Sequence, residues 1–354
     1  MAKNENLHKA KTQKNDEFYT QYEDIQKELN HYEQHFKGKT VLCNCDDPFE
    51  SNFCKFFLRN FNYLELKRLI CTSYNGSPVA GTQMSLFDLI DGTTEEGHGY
   101  VLDVTKVSMA NGRGVSDDDI DKLLRSKKCV KELRGNGDFR NQECLDLLDE
   151  ADIVVTNPPF SLFREYVAVL MEHKKKFLIL GNKNAATNDK DIFPLFYQNE
   201  CWFGFNSPAE FNTPDGITKK VNGLTRWFTN LDITKRHEKL ILWKQFDAND
   251  YKRFDNYDAI IVDKTSDIPC DYDGIMGVPI TFLDKYNPEQ FELLGRTGDL
   301  EWAENVCDFF NPPEESLQKI YKKQNKTWRV QNAYYVLDGK AYNVYSRIFI
   351  RRKQ

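Results

Sequence analysis

The sequence predicts an α/β fold with a mainly parallel sheet, followed by a second, smaller domain of mixed α+β structure. Over the first 231 residues, short apolar runs alternate with amphipathic helical segments, which is typical of βαβ units. Beyond Leu231 the pattern changes to short strands separated by Pro, Gly and Asp turns. We therefore predict a first domain over residues 1–231, with a flexible lysine-bearing arm at 1–16, and a second domain over 232–354.

The elements of the first domain follow from the spacing of apolar residues. Ile25, Leu29, Tyr32 and Phe36 recur every three or four positions, as on one face of a helix, whereas short apolar runs between turn residues predict strands. Residues 88–130 predict a surface insertion around the strand YVLDV. The predicted helices are 21–36, 52–60, 144–148 and 162–173, and the predicted strands are 39–45, 66–73, 100–104, 152–156 and 176–180, with an edge pair at 202–205 and 224–229.

Composition and residue spacing exclude several classes of protein. Hydrophobic residues make up 40% of the chain and charged residues 29%, so a folded core is expected rather than disorder. No apolar run approaches the ~18 residues that a membrane-spanning helix needs. The nine cysteines form no zinc-type CxxC pair, and the six histidines show no metal spacing. We therefore expect a cytoplasmic protein with reduced thiols and without a metal site.

The C-terminal segment combines a hairpin signal with a local excess of positive charge. Asp338-Gly339 lies between TWRVQNAYYVL and KAYNVYSRIFI, and this dipeptide favours a two-residue hairpin turn. From 319 to 354 there are ten basic residues and one acidic residue, although the whole chain carries a net charge of −6. Such asymmetry is typical of a nucleic-acid footprint, and also of a solvated basic end.

The motif Asn157-Pro158-Pro159-Phe160 directly follows the predicted strand DIVVT. Ligands of doubly wound sheets bind beyond the carboxyl ends of the strands. There the side-chain oxygen of Asn157 and the carbonyl of Pro158, held between two rigid prolines, would be two aimed acceptors. Phe160 would supply a flat face for a base to stack on. This set suits a base that carries an amino group.

Two acceptors can also contribute to the rate of a reaction at that amino group. The nitrogen is a poor nucleophile because its lone pair is delocalised into the ring. Accepting both of its hydrogens favours a more tetrahedral nitrogen that can attack a methyl group, and stabilises charge that develops in the transition state. No covalent intermediate is required.

The chain resembles the EcoRI-type family of adenine-specific DNA methyltransferases. The resemblance rests on stretches that run in order from about residue 14 to 232, namely KNDEFYTQYEDIQKEL, VLCNCDDPFESNF, GNGDF, VVTNPPFSLFREY, FLILGNKN and GLTRWFTNLD. It implies a Rossmann-like, S-adenosylmethionine-dependent methyltransferase sheet and a C-terminal target-recognition domain. It also implies S-adenosylmethionine as methyl donor and N6 of a flipped-out adenine in double-stranded DNA as acceptor, in a restriction-modification or host-protection role.

The resemblance carries functional roles onto matching residues. Asn157, Pro158 and Phe160 would be the catalytic residues, with Asn157 also next to the cofactor. Asp138 and Phe139 match the Asp-Phe pair that holds the adenine of the cofactor, the carboxylate on its amino group and the ring against its face.

The methionine end of the cofactor is assigned to two further segments. Tyr19 and Thr20 resemble the N-terminal aromatic-Thr element that lines this end. After the first strand, Asn44, Asp46 and Asp47 stand where most methyltransferases have a glycine-rich turn. Asp46 or Asp47 can hold the ammonium group by a charge-assisted bond, and the sequence does not choose between them.

Contacts to DNA phosphates are predicted from the loop 207–220 and from the basic hairpin 327–350. Trp227 and Phe228 either wall the pocket of the flipped base or pack in the core. The enzyme is expected to act as a monomer. Two alternatives stay open: methylation of RNA or of a protein glutamine, and a catalytically silent DNA-binding protein. The predicted phosphate contacts are Lys219, Lys220, Arg329, Lys340 and Arg347.

Overall fold

The computed structural model describes residues 19–49, 51–74, 98–109, 114–126, 128–212, 218–220, 223–324 and 328–353. They form two compact units. The first contains the residues up to Ala186 together with Phe203–Leu231, and the second contains Thr187–Trp202 and the residues from Asp232 onward. The first unit ends at Leu231, and Thr187–Trp202 belongs to the second unit.

The described residues up to Leu231 form the following strands and helices. The strands are β1 (Tyr19–Thr20), β2 (Thr40–Cys43), β3 (Arg68–Thr72), β4 (Tyr100–Val104), β5 (Val130–Glu132), β6 (Ile153–Thr156), β7 (Lys176–Asn182), β8 (Trp202–Phe203), β9 (Glu210–Asn212), β10 (Thr218–Lys220) and β11 (Thr225–Thr229). The helices are α1 (Tyr22–Leu29), α2 (Glu33–Phe36), α3 (Asn52–Asn60), α4 (Asp117–Leu124), α5 (Gln142–Glu150), α6 (Phe163–Glu172), α7 (Ala185–Asn188) and α8 (Phe193–Tyr197).

The described residues contain a mixed eight-stranded sheet with the order β5-β4-β3-β2-β6-β7-β11-β8. The central strands β3, β2, β6 and β7 are parallel, whereas β4, β5 and β11 run antiparallel to their neighbours. The prediction of a parallel sheet therefore holds for its centre. The chain moves outward from β2 to β3 on one side and from β6 to β7 on the other. This reversal of strand order is where open α/β sheets bind ligands.

The strand YVLDV is β4 and belongs to this sheet rather than to a surface insertion. Of the predicted insertion 88–130, residues 88–97, 110–113 and 127 lie outside the described residues. Trp227 and Phe228 are fully buried on β11, where Trp227 packs edge-on to Phe53 and Phe228 lies against Phe163. They are therefore core residues, not walls of a base pocket.

Two predicted segments have a different local structure. The helix expected over 21–36 is broken between α1 and α2. There the backbone N–H groups of His31 and Tyr32 donate to the carbonyls three residues earlier, those of Glu28 and Leu29. The loop expected over 207–220 contains β9 and β10, which pair with each other, while β9 also pairs with β1. Residues 213–217 between these two strands lie outside the described residues.

The second unit has its own sheet and its own aromatic core. In the described part of the chain, four strands have the order β12-β13-β17-β14, and β15 pairs with β16 in a separate hairpin. The core packs around Phe349 on β17, whose ring lies 4.6 Å from that of Tyr257. The strands are β12 (Ile260–Ile261), β13 (Met276–Pro279), β14 (Phe291–Arg296), β15 (Ala333–Leu337), β16 (Lys340–Val344) and β17 (Arg347–Arg352), and the helices after α8 are α9 (Leu300–Asn305) and α10 (Glu315–Gln324).

The predicted hairpin near the C-terminus forms, but it is shorter than expected. Asp338 and Gly339 both have positive φ, as a tight two-residue turn between right-twisted strands requires. The rings of Tyr335 and Tyr342 stack across the two strands at 5.0 Å. The last run, RIFIRR, leaves the hairpin as β17 and lies between β13 and β14. No described helix is long and apolar enough to cross a membrane.

Candidate active site

A cleft opens beyond the carboxyl ends of β2 and β6. It encloses about 980 Å³, its open mouth included. The predicted site residues that line it are Thr20, Asn44, Asp46, Asp47, Asp138, Phe139 and Asn157. The lining residues that the sequence reasoning missed are Cys45, Ser51, Asn52, Phe53, Tyr74, Gly137, Arg140, Pro159 and Leu162.

The loop after β2 turns toward the cleft without a glycine. The side chain of Asp47 accepts a hydrogen bond from the N–H of Phe49 at 2.8 Å, and its carbonyl accepts one from the N–H of Ser51 at 2.8 Å. Ser51 then caps α3, because its hydroxyl accepts from the N–H of Phe53 at 3.0 Å. An Asx turn and a helix cap therefore bring the first turn of α3 to the cleft.

Two other side chains of this loop are buried where β2 ends. Asn44 accepts a hydrogen bond at Oδ1 from the hydroxyl of Tyr166, which fixes the plane of its amide. Asp46 accepts from the hydroxyl of Ser51 at 2.9 Å, from the hydroxyl of Thr156 and from the backbone N–H of Asn157. Asp46 therefore joins the ends of β2 and β6.

The segment GNGDF enters the cleft at a position that only glycine fits. Gly137 has φ +80°, and a Cβ there would lie 1.9 Å from the carbonyl oxygen of Ser73. The next residues are Asp138 and Phe139. Arg140 donates to both carboxylate oxygens of Asp138, and its guanidinium lies 5.3 Å above the ring of Phe139. This pairing holds the pKa of the Asp138 carboxyl below its usual value.

The N-terminal element reaches the cleft through strand pairing. Tyr19 lies opposite Asn212 in β9, and Thr20 lies opposite Phe211. The side-chain amide of Asn52 donates to the carbonyl of Thr20 at 2.8 Å and ties β1 to α3. The hydroxyl oxygen of Thr20 is buried and has no hydrogen-bond partner among the described residues. A polar atom of this kind on the wall of a cleft fits a bound ligand.

The motif Asn157-Pro158-Pro159-Phe160 has the predicted place after β6, and Asn157 and Pro159 line the cleft. Pro158 is buried in the loop. Phe160 is half-buried and begins a short 3-10 helix, Phe160–Leu162, but it is not among the residues that line the cleft. The structure thus brings Asn157 beside Asp46 and leaves the stacking role of Phe160 a prediction.

The predicted phosphate contacts differ in their surroundings. Arg329 and Lys340 are exposed. Lys220 is exposed on β10 but lies 3.3 Å from the carboxylate of Glu210, and Lys219 is placed by its backbone in the same strand.

Arg347 is a correction to this set. It is 8% exposed on β17, and its guanidinium donates to Asp263 at 3.0 Å and to the carbonyl of Tyr345 at 3.0 Å. A buried, paired guanidinium is poorly placed to reach a phosphate. Its sequence position in the basic tail did not reveal that RIFIRR is a buried strand.

Comparison with known proteins assigns the whole chain to a family. The family described as adenine-specific methyltransferase EcoRI matches residues 6–353. The chain belongs to this family. It is an adenine-specific DNA methyltransferase, and the resemblance noted in the sequence is confirmed.

Named relatives cover most of the chain. Type II methyltransferase M.EcoRI of Escherichia coli is 44% identical over 83% of this chain and 89% of its own length. M.MgeORF184P of Mycoplasma genitalium is 38% identical over 81% of this chain and 85% of its own. M.MpnI of Mycoplasma pneumoniae is 37% identical over 81% of this chain and 84% of its own length. No solved structure gives a significant match to this methyltransferase.

The cleft suits the methyl donor that this family implies. It combines the unpartnered hydroxyl of Thr20, the carboxylates of Asp47 and Asp138, and the aromatic ring of Phe139. S-adenosylmethionine carries an ammonium group, a ribose and an adenine, which such groups can bind. Within the described ranges, no cluster of His, Cys, Asp and Glu side chains is arranged to hold a metal ion.

Proposed function

We propose that this methyltransferase transfers the methyl group of S-adenosylmethionine to N6 of an adenine that is flipped out of a specific duplex DNA sequence. The observation that carries the proposal is the meeting of two loops at one cleft. Asn157 follows β6, Asp138 and Phe139 follow β5, and all three line the same space. A donor and an acceptor bound by these loops would lie side by side.

Each part of the cofactor has its own candidate binding residues. Phe139 would contact the face of its adenine, and Asp138 would accept a hydrogen bond from the amino group of that adenine. Thr20 would donate its hydroxyl at the methionine end, next to Tyr19. Asp47 is the better of the two acidic candidates for the ammonium group, since the oxygens of Asp46 already accept from Ser51, Thr156 and Asn157. When bound, S-adenosylmethionine supplies an electrophilic methyl group on a sulfonium.

Asn157 and Pro158 supply the acceptors for the target amino group. The side-chain oxygen of Asn157 and the carbonyl of Pro158 would accept its two hydrogens, while the prolines keep this stretch of backbone stiff. Charge that develops on the nitrogen during attack would be stabilised by these prealigned dipoles. Phe160 would stack on the base as it leaves the duplex.

A paired and stacked adenine must leave the helix before it can reach this cleft. Flipping costs a few kcal/mol, and contacts to the DNA backbone can offset that cost. The second unit exposes Arg329 before β15 and Lys340 on β16, which supports a target-recognition role for this unit with these two residues as phosphate contacts. Lys219 and Lys220 on β10 are candidates from the first unit. We propose that a single chain acts on one site, as part of a restriction-modification or host-protection system.

The decisive experiment compares two asparagines in the same sequence context. Asn157→Ala should abolish methylation of plasmid DNA while calorimetry shows S-adenosylmethionine affinity within a few-fold of wild type. Asn311→Ala is the matched control, since Asn311-Pro312-Pro313-Glu314 repeats the tripeptide at an exposed position before α10. It should methylate normally.

Single-molecule sequencing of DNA from cells that express the wild type would identify the modified base and its sequence context. Methyl incorporation into RNA or protein in place of DNA would refute the proposed acceptor. Absence of cofactor binding would indicate a catalytically silent protein.

A further inference from the structure

The carboxylate of Asp46 links the catalytic loop to the helix that borders the cofactor side of the cleft. Its Oδ1 accepts from the hydroxyl of Ser51, the cap of α3, at 2.9 Å. Its Oδ2 accepts from the hydroxyl of Thr156, the last residue of β6, and the backbone N–H of Asn157 also donates to the carboxylate. One side chain thus spans the two strand ends between which the sheet reverses its order.

The direction of these hydrogen bonds is fixed by their neighbours. The hydroxyl of Ser51 already accepts from the N–H groups of Phe53 and Cys54, at 3.0 and 3.4 Å, so its own hydrogen points to Asp46. The hydroxyl of Thr156 accepts from the N–H of Cys45 at 3.2 Å and donates its own hydrogen to Oδ2 of Asp46.

Asp46 therefore accepts at both oxygens. The ionised carboxylate is an acceptor only, whereas a protonated carboxyl carries an O–H donor and has less acceptor capacity. The linked arrangement is therefore strongest in the charged form of this side chain.

The surroundings of Asp46 oppose that charge. It is 7% exposed, and the groups that face it are acidic or neutral: Asp47 beside it, the thiols around the end of β2, and a tyrosine of α6. Burial raises the pKa of Asp46 to about 7, although the bonds from Thr156, Ser51 and Asn157 oppose this rise. The other titratable groups that face it are Cys43, Cys45, Cys54, Cys71 and Tyr166.

We propose that Asp46 is a positioning residue for methyl transfer: its carboxylate aligns Asn157 with the cofactor-side helix α3 through the bonds from Ser51, Thr156 and Asn157. The inference rests on the proposed role of Asn157 and goes beyond it. It also departs from the expectation that Asp46 holds the ammonium group of the cofactor.

Activity and stability then respond to pH in opposite directions through this group. Since the folded protein binds the proton more tightly than the unfolded chain, Asp46 makes the fold less stable as pH rises from about 4 to about 7. The turnover number should rise over the upper part of the same range, as the ionised form becomes populated. A carboxylate with a purely structural role would change stability with pH without the rise in the turnover number.

The test uses Thr156, which is fully buried and is not among the residues that line the cleft. Thr156→Val removes one link without touching the cofactor. Misplacement of the catalytic loop should lower kcat by about 10- to 100-fold, with little change in the dissociation constant for S-adenosylmethionine. The acid limb of the kcat profile should also move to higher pH, because the Thr156 bond lowers the pKa of Asp46.

Three further variants complete the test. Thr156→Ser keeps the hydroxyl and should restore most of the rate and return the acid limb of the kcat profile to its wild-type pH. Thr72→Val is the matched control: Thr72 ends the nearby parallel strand β3, is fully buried, and its hydroxyl has no hydrogen-bond partner among the described residues. It should leave kcat and its pH profile unchanged. Asp46→Asn should lower kcat and abolish the limb near pH 7.

The outcomes separate this inference from the proposed function. The assay measures tritiated methyl transfer to unmethylated plasmid DNA, and melting temperatures report the folded state of each variant. If Thr156→Val changes only the melting temperature, or if Asp46→Asn weakens cofactor binding at unchanged kcat, the positioning role is overturned while the function stands. If the wild type transfers no methyl group to DNA, the function fails and the inference with it.

Discussion

Arg140 donates from Nε to Oδ1 of Asp138 at 2.9 Å and from Nη2 to Oδ2 at 2.6 Å, and its backbone N–H donates to Oδ1 at 2.9 Å. This arrangement keeps Asp138 ionised and fixes its plane beside Phe139. The guanidinium also contacts Glu165 at 3.1 Å. A carboxylate with two oxygens has room for one more donor, as the proposed bond from the adenine of the cofactor requires.

Asp138→Ala should weaken S-adenosylmethionine binding by about 1.5–3 kcal/mol, as expected for a hydrogen bond to a charged group. Calorimetry at constant pH measures this directly. Asp146→Ala is the control, because Asp146 lies on α5 and bonds there to the side chain of Gln142. Unchanged affinity in the Asp138 variant would remove this residue from the cofactor site.

Arg140→Ala should make cofactor binding depend on pH. The pKa of Asp138 is lowered first by the Arg140 side chain, so its loss lets the carboxyl take up a proton at higher pH. As pH falls, the variant should lose affinity at a higher pH than the wild type, because its Asp138 carboxyl no longer has the guanidinium that lowers its pKa. Parallel profiles for the two proteins would show that Arg140 does not control the charge of Asp138.

Phe160→Ala should impair base flipping more than DNA binding. Stacking on an aromatic ring stabilises a base by roughly 1–3 kcal/mol. Here the ring would stabilise only the flipped-out base, so its loss should affect flipping more than overall DNA affinity. A fluorescent adenine analogue at the target position should brighten when the wild type unstacks it, and less with the variant. If the wild type gives no signal with cofactor and cognate duplex present, the flipping model is wrong.

Local sequence signals predicted the centre of the fold well. The helix 52–60 matches α3, and the apolar runs VLC, RLICT and IVVT lie in the central strands β2, β3 and β6. Those strands are buried on both faces, so that continuous apolar runs identify them. The place of Asn157 after β6 followed from this, because a position at a strand end is a local property, whereas Asn44, Asp46 and Asp47 were assigned through the family resemblance.

Features that depend on distant partners could not be predicted. Glu28 is a charged residue at 0% exposure, which is possible because the N–H groups of Phe205 and Asn206 donate to it at 2.8 and 2.7 Å. Strand β9 was expected as loop, although it pairs with the nearby β10 and also with Tyr19–Thr20, which is remote in sequence. In the cleft, Arg140 and Ser51 were missed for the same reason: their roles follow from contacts across the site.

The last prediction concerns the two exposed basic residues near the hairpin. If Arg329 and Lys340 each neutralise one phosphate, the slope of log affinity against log salt should fall by about 0.9 when either is changed to alanine. Binding should weaken alike on cognate and scrambled duplexes, since phosphate contacts carry no sequence information. Loss of a base contact would instead cost ~1–3 kcal/mol of discrimination at one position.

Arg347→Ala provides the contrast within the same basic segment. Its guanidinium is buried against Asp263, so its loss should lower the melting temperature while the salt slope of the folded protein stays at the wild-type value. Fluorescence anisotropy at several salt concentrations measures the DNA affinity of all three alanine variants, each of which is first checked for folding. If Arg329→Ala and Lys340→Ala keep the wild-type slope and affinity, the hairpin does not hold the DNA backbone. The strand β10, with Lys219 and Lys220, is then the place to test next.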